Sequence, residues 1–322
     1  MFDILSIGGT ALDVFLELHE ATVNCRIDNN ACQLCINFAD KIPVQNVTNV
    51  PGVGTAPNNA VGSARLGLKA ALYTIIGNDS PGKDSLAVFK KEKVATKYVM
   101  VDKKNRTDYS SILSFQGERT LLTFQVPRKY SLPAGIKTEW IFLGALPDGH
   151  KLLHSQIVKK VKKDKVKIGY NPGAHELRDG IDGMKDILKV TEVFIVNKEE
   201  AWRLIGKDED IKILLTKLKK YGPKLVVITD GKNGACCFDG ENFYHQPIFN
   251  LPVVEKTGAG DAFATGLVSA LIHGLDVKTA MRYGAANSAS VVGYVGAQAG
   301  LMTKSQMKKF LDQHKETRAK II

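Results

Sequence analysis

Eight consecutive residues combine groups that phosphoryl transfer to an alcohol requires. Lys256-Thr257-Gly258-Ala259-Gly260-Asp261-Ala262-Phe263 follows an apolar stretch and opens a helical pattern, DAFATGLVSALIHG, which Gly274 can terminate. Gly258, Ala259 and Gly260 have little or no side chain, so an anion can approach their amides at a helix N-terminus, where unpaired N–H groups favour negative charge. Asp261, in the same turn, is positioned to accept a proton from a hydroxyl beside that anion. On these eight residues alone, a Gly-rich turn with Asp as a helix cap accounts for the pattern equally well.

Other chemistry-bearing residues follow apolar runs. Asp13 lies just past the run DILSIG, and Asn58 opens the helical pattern PNNAVGSARLG; together they can exchange hydrogen bonds with sugar hydroxyls or, alternatively, tie a strand to a helix as a buried polar pair. Asn197 and Glu200 follow VFIVN, where α/β folds place ligand groups, and the same spacing also suits a helix cap. Thr229 and Gly231 end KLVVITDG. Convergence at the C-terminal ends of several strands is the pattern of a ligand site in an open α/β sheet.

The elements that must position these groups read as follows. Residues 3–8 predict a buried strand, 57–67 a helix and 68–77 a strand. From 139 onward, strands at 140–144, 166–172, 193–197 and 224–231 alternate with helices at 151–163, 180–189, 199–206 and 209–221, and long helices follow at 261–273 and 276–292. This rhythm predicts a parallel sheet covered on both faces. The alternating stretches near 14–50 and 108–126, the latter turning at Gln116-Gly117-Glu118, predict a small antiparallel accessory sheet.

Composition narrows the class. The 322 residues are 44% hydrophobic and 24% charged, which excludes a disordered chain. No apolar run reaches the roughly 18 residues of a spanning helix, and the N-terminus has no basic n-region, so a cytoplasmic protein without a membrane partner is expected. The net charge of +11 raises nucleic-acid binding. Much of the excess, however, falls on helical stretches such as 159–167, where Leu153, Ile157 and Val161 form the apolar stripe and the lysines lie off it. No aromatic residues are interleaved with them as stacking platforms, so no nucleic-acid partner is expected. The odd count of five cysteines in a long chain predicts reduced thiols, and Cys32-x-x-Cys35 has no matching pair for a zinc site. A P-loop, a dinucleotide fingerprint and a Gly-x-Ser-x-Gly elbow are all missing from the sequence.

The motifs, taken in order, resemble those of the PfkB (ribokinase-like) carbohydrate and nucleoside kinases. The C-terminal signature Asp-Thr-x-Gly-Ala-Gly-Asp-x-Phe stands here as Glu255-Lys256-Thr257-Gly258-Ala259-Gly260-Asp261-Ala262-Phe263. Gly8 to Asp13, Val53-Gly54-Thr55-Ala56-Pro57-Asn58-Asn59-Ala60 with Ala64-Arg65-Leu66-Gly67, and Gly117-Glu118-Arg119-Thr120 are similar to the family's substrate strand, N-terminal signature and lid hairpin. Asn197-Lys198-Glu199-Glu200, Thr229-Asp230-Gly231-Lys232-Asn233-Gly234 and Gly296-Ala297-Gln298 are similar to its magnesium, nucleotide and adenine-side segments.

The resemblance implies a ribokinase-like three-layer α/β sandwich over residues 1–322, with a mostly parallel central sheet and a lid inserted at about 14–50 and 108–126. It implies ATP and Mg2+ as cofactors and Asp261 as general base, with Gly258, Ala259 and Gly260 holding the transferring group. Thr229, Gly231, Gly234, Asn287 and Asn197 would serve the nucleotide, Asn197 and Glu200 the magnesium indirectly, and Asp13, Gly54 and Asn58 the acceptor. The family's cation-binding Asp is Glu255 here, which leaves activation by K+ open. A sugar acceptor and a homodimer through the lid are expected. One alternative is a nucleoside acceptor walled by Phe38 or Phe124; another is a catalytically silent sugar- or nucleotide-binding regulator, suggested by Glu255-Lys256 and opposed by the intact Asp261.

Overall fold

The computed structural model describes residues 1–25 and 32–322. Its main sheet has nine strands, running in space Ala70–Tyr73, Phe2–Ile7, Thr138–Leu143, Lys167–Tyr170, Val193–Asn197, Leu225–Thr229, Ala235–Phe238, Phe243–Gln246 and Lys320–Ile321. The first six are mutually parallel and the last three antiparallel. Both faces of the parallel part are buried, which explains the continuous apolar runs. Leu5, Ile7, Ile141 and Leu143 point to one face, under Leu153, Ile157, Met184, Leu214 and Leu218 of the helices Lys151–Asp164, Gly180–Leu188 and Ile211–Lys219. Ile4, Phe142, Ile195 and Val227 point to the other, under Phe263, Leu267 and Met281 of the helices Ala259–Ile272 and Val277–Val291. This is the expected α/β sandwich. The lysines of Lys151–Asp164 stay off its buried stripe, as its pattern predicts.

Chain order places the ligand-binding edge. Phe2–Ile7 has Ala70–Tyr73 on one side and Thr138–Leu143 on the other, so successive connections leave it in opposite directions. The crevice beyond the carboxyl ends of such neighbouring strands is where open α/β sheets bind ligands. Gly8-Gly9 and Gly144-Ala145 lie there, and the amide of Gly9 donates to the Ala145 carbonyl at 3.0 Å.

The small sheet covers this edge in the order Glu118–Phe124, Asp108–Phe115, Ala11–Leu18, Val44–Val53. Its two outer pairings are antiparallel, but Ala11–Leu18 and Asp108–Phe115 run parallel, so the sheet is mixed rather than antiparallel throughout. Alternation in sequence reports which face is wet, not the direction of a distant partner. The turn at Gln116 and Gly117 takes positive φ at both residues, +52° and +79°, as a two-residue hairpin requires.

Two further corrections follow. Thr22–Cys25 pairs with Cys32–Cys35 so that Cys25 stands opposite Cys32, and the two form a disulfide where reduced thiols are expected. The part of the 14–50 expectation on residues 26–31 lies outside the described residues. The helix Ser80–Lys91 is additional to the sequence reading; its signal is the Asp79 side chain capping the Gly82 amide, with Pro81 at the start.

Candidate active site

The Ala259–Ile272 helix begins at the crevice. Its N-cap, Gly258, has φ +80°, and a Cβ there would lie 2.3 Å from that of Ala297, so the chain can turn here only with glycine. The Ala259 amide reaches back to the Lys256 carbonyl at 3.3 Å. Among the described residues, the amides of Gly258, Gly260 and Asp261 donate to no acceptor of the chain. Gly260 is exposed, and the space beyond its Cα is open. Three N–H groups at a helix start therefore remain for an anion.

Asp261 is in the first turn of this helix, beside the helix Thr55–Arg65. Asn58 Nδ2 donates to Asp261 Oδ2 at 2.7 Å, and the Thr55 side chain also bonds the carboxylate. Burial pushes the Asp261 carboxyl above its ordinary range, and these two donors pull it back. Thr55 also lines a cleft of about 160 Å3 with Gly9, Thr10, Asp13, Gly54, Asp108, Ser110, Phe124 and Gln125. Asp261 is thus one side chain away from the cleft formed between the sheet edge and the small sheet. A second cavity, about 230 Å3 between Tyr294, Leu301 and Phe310, has no carboxylate among its lining residues.

Within the cleft, Asp108 is committed: it accepts from the Val126 amide at 3.1 Å and pairs with buried Arg128. Asp13 keeps a bond from the Ser110 hydroxyl. Burial first, then the charges of Asp261 and Glu255, raise its pKa to about 6. Gly54, at φ +132°, caps the Thr55–Arg65 helix at the cleft wall.

Asn197 and Thr229 are register partners at adjacent strand ends. Asn197 Oδ1 accepts from the Glu200 amide at 2.8 Å, and Glu200 Oε2 accepts from the Asn197 amide at 2.9 Å, so the pair does form the helix cap that its spacing allows. Asn197 Nδ2 and Glu200 Oε1 lie outside that exchange. Burial, chiefly, and the nearby Asp261 charge raise the Glu200 carboxyl, which links this strand end electrostatically to Asp261. No group of three or more His, Cys, Asp or Glu side chains suited to a metal is present among the described residues. The free Asn197 side-chain amide nitrogen and Glu200 Oε1 at this strand end would suit Mg2+ that takes most of its ligands from phosphates and water. Gly231 and Gly234 form the partly exposed turn after Thr229, at φ +48° and +84°, closed by the Asp230 amide on the Gly234 carbonyl at 2.8 Å.

Two expected site residues are occupied elsewhere. Asn287 is fully buried: its Nδ2 donates to the Ala262 carbonyl at 2.9 Å and its Oδ1 accepts from the Met302 amide at 3.0 Å. It fastens two helices and a loop. Asn58, 2% exposed, is absent from the cleft wall and faces Asp261 and Gln298. Sequence reading did not single out Thr55, Ser110, Gln125 or Gln298, whose signal was only adjacency to Gly54, the small-sheet strands and the Gly-Ala segment.

The small sheet's hairpin also touches the turn that leads into the Ala259–Ile272 helix. Lys256 Nζ pairs with Glu118 at 2.6 Å, and Arg119 with Glu255 at 3.3 Å. Glu255 Oε1 further accepts from the amide and hydroxyl of Thr257. Its Oε2 is buried without a partner among the described residues. The two residues that depart from the family signature are the ones that meet the hairpin with reciprocal charge.

Known proteins share the sequence pattern and the fold. The chain is 27% identical over 283 residues to an ATP-dependent 6-phosphofructokinase of Thermoanaerobacterium thermosaccharolyticum, covering 81% of this chain and 85% of that protein. It is 28% identical over 261 residues to a fructosamine kinase of Bacillus subtilis, covering 78% and 86%. The fold is shared with Arabidopsis thaliana ribokinase complexed with ribose and ATP, at TM-score 0.78, 21% identity and 96% and 98% coverage. It is shared also with a Methanocaldococcus jannaschii nucleoside kinase, at TM-score 0.76, 21% identity and 97% and 99% coverage. Residues 22–304 match the pfkB family carbohydrate kinases, and the chain belongs to that family.

Proposed function

We propose that this kinase transfers the γ-phosphoryl group of ATP to a hydroxyl of a sugar-like acceptor bound in the cleft of Asp13 and Ser110. The observation that carries the reading is Asp261 beside three uncommitted helix-start amides and one side chain from the cleft. Asp261 takes the hydroxyl proton as the acceptor oxygen bonds to phosphorus and the bond to the ADP oxygen breaks. The Gly258–Gly260 turn holds the transferring oxygens, Gly260 with the most open approach. Asp13 and Gly54 orient the acceptor, and Asn58 acts on the base. Thr229, Gly231 and Gly234 serve the nucleotide. Mg2+, arranged by Asn197 and Glu200, supplies charge neutralisation on the phosphates.

The small sheet acts as a lid that keeps water from the phosphoryl group, within one kinase domain spanning the chain. Leu121, Leu122 and Phe124 of its hairpin strand are about half exposed, and burial of this strip against a second copy underlies the proposed homodimer. Among the described residues, no helix is long and apolar enough to cross a membrane. A cytoplasmic location is part of the proposal.

A cleft of about 160 Å3 is below the roughly 300 Å3 at which drug-sized pockets begin, which favours a monosaccharide-sized acceptor. Phe124 on the cleft wall supports the nucleoside alternative, whereas Phe38, 99% exposed, gives it no wall. Arg119 already supplies a cation to Glu255, leaving one unpartnered oxygen where a hard cation takes several, so turnover is expected without K+. The test is a panel of sugars, sugar phosphates, sugar acids and nucleosides scored by ADP release, with potassium and with a bulky organic cation. Acceptor-dependent ADP release supports the reading, and none from any acceptor turns it toward the silent regulator.

A further inference from the structure

Asn58 can occupy its site with its amide either way round, and only one orientation presents a donor to Asp261. Gln298 selects that orientation. Its Nε2 donates to Asn58 Oδ1 at 3.0 Å and to the Gly52 carbonyl at 2.8 Å. Both N–H groups of that amide are thereby used. A flipped Asn58 would set its Nδ2 against Gln298 Nε2, donor to donor, and its Oδ1 against the Asp261 carboxylate. Gln298 cannot readily withdraw. It is 6% exposed, and Arg65 Nη1 donates to the main-chain carbonyls of Gln298 and Leu301 at 2.7 and 2.9 Å. Arg65 is fixed in turn by a two-pronged pair with Glu92, 2.8 Å at each prong.

We propose that Gln298 is a positioning residue for the transfer: by fixing the Asn58 amide it holds Asp261 Oδ2 in place and keeps that carboxylate a proton acceptor. The proposal rests on the reading of Asp261 as general base. It gives the Gly-Ala-Gln segment a role at the base. Around Asp261, Asn58 and Thr55 of the Thr55–Arg65 helix donate hydrogen bonds. Asp13 of the small sheet and Glu200 of the Lys198–Ile205 helix add negative charge, and Glu255 with its partner Arg119 lies beyond Asp13. With burial pushing the base toward protonation, a firmly oriented donor has work to do.

Gln298→Met keeps the length of the side chain and removes both donors. A hydrogen bond to a charged group corresponds to a factor of about 10–100. Gln298→Met is therefore expected to lower kcat at least about tenfold, leave KM for ATP within about twofold, and move the acid limb of the kcat–pH profile upward. Asn58→Leu lowers kcat as well, and adding Gln298→Met to it lowers kcat no further, because Gln298 acts on the base only through Asn58. An unchanged kcat and acid limb in Gln298→Met, or losses that multiply in the double variant, overturn the proposal. If the Met variant does not fold by circular dichroism, Gln298→Glu carries the same expectations, its ionised form lacking a donor. Asp261→Asn separates the two levels: an inactive Asp261→Asn beside an unaffected Gln298→Met refutes the positioning role alone, and an active Asp261→Asn refutes the base itself.

Discussion

Asp261→Asn is the sharpest test of the proposed chemistry, because it changes the least. Asparagine has the shape of aspartate, and its Oδ1 can still accept the 2.7 Å bond from Asn58. The helix start is untouched, since the amides of Gly258, Gly260 and position 261 belong to the backbone. What disappears is a group able to take a proton. General-base catalysis contributes about 10²–10⁴ in rate, or roughly 3–5 kcal/mol of barrier. The expected result is ATP binding within about threefold of the parent by calorimetry, with kcat in an ADP-coupled assay lower by at least about a hundredfold. Because burial holds the Asp261 carboxyl above its ordinary range, the parent's kcat should rise with pH through an acid limb that lies above an exposed aspartate's and is absent from the variant's residual rate. A variant turning over near the parent's rate refutes the role of Asp261, and one that no longer binds ATP shows that the carboxylate shapes the loop instead.

Other positions give independent tests. Asp13 has a folded pKa near 6 against an ordinary 3.8, so its ionisation opposes folding and stability falls as pH rises through that window; Asp13→Asn is expected to gain up to about 3 kcal/mol at pH 8 and nothing at pH 3.5 in urea titrations, with kcat/KM for the acceptor about 10–100-fold lower. Equal stability of the two proteins at pH 8 would discard that account of the cleft. Arg119→Ala loosens the hairpin from Glu255, and ADP release without acceptor should rise relative to transfer; an unchanged ratio argues against a lid held by this pair. Gly258→Ala combines φ +80° with a Cβ pressed on Ala297 and should destabilise the fold by about 1–3 kcal/mol while weakening ATP binding more than acceptor binding, read by urea unfolding and calorimetry.

The parallel strands were legible because burial on both faces leaves an uninterrupted apolar run, as in VFIVN and KLVVIT. The helix Ser80–Lys91 buries only Gly82, Ser85 and Phe89, too few apolar positions to form a stripe. Pairings between distant segments were hidden for a related reason. The parallel register of Ala11 on Asp108 and the bonds of Asn58 to residues 261 and 298 depend on how the sheet closes, and no local period encodes that. Asp13, Gly54 and Asp261, named from motif position, lie at the cleft or one side chain from it, and Asn197 and Thr229 end adjacent strands. Motif position could not say which polar atoms there are engaged within the protein, such as those of Asn287, bonded to Ala262 and Met302, and of Asn58, bonded to Asp261 and Gln298.

The distribution of charge explains why main-chain amides are suited to hold the phosphates. The charge of Asp261 raises the carboxyls of both Asp13 and Glu200, and that of Glu255 adds to the effect on Asp13, an unfavourable setting for an anion. Three nearby cations are engaged: Arg119 with Glu255, Lys256 with Glu118, and Lys198 with Glu209 and Asp230. The lysine-rich helix Lys151–Asp164 instead packs on the sheet face opposite to the Ala259–Ile272 helix. A lysine beside Asp261 would attract the nucleotide, but it would also stabilise the carboxylate and weaken it as a base. Uncharged N–H groups escape this conflict: they stabilise negative charge on the transferring group while adding no full positive charge to depress the pKa of the base one residue away.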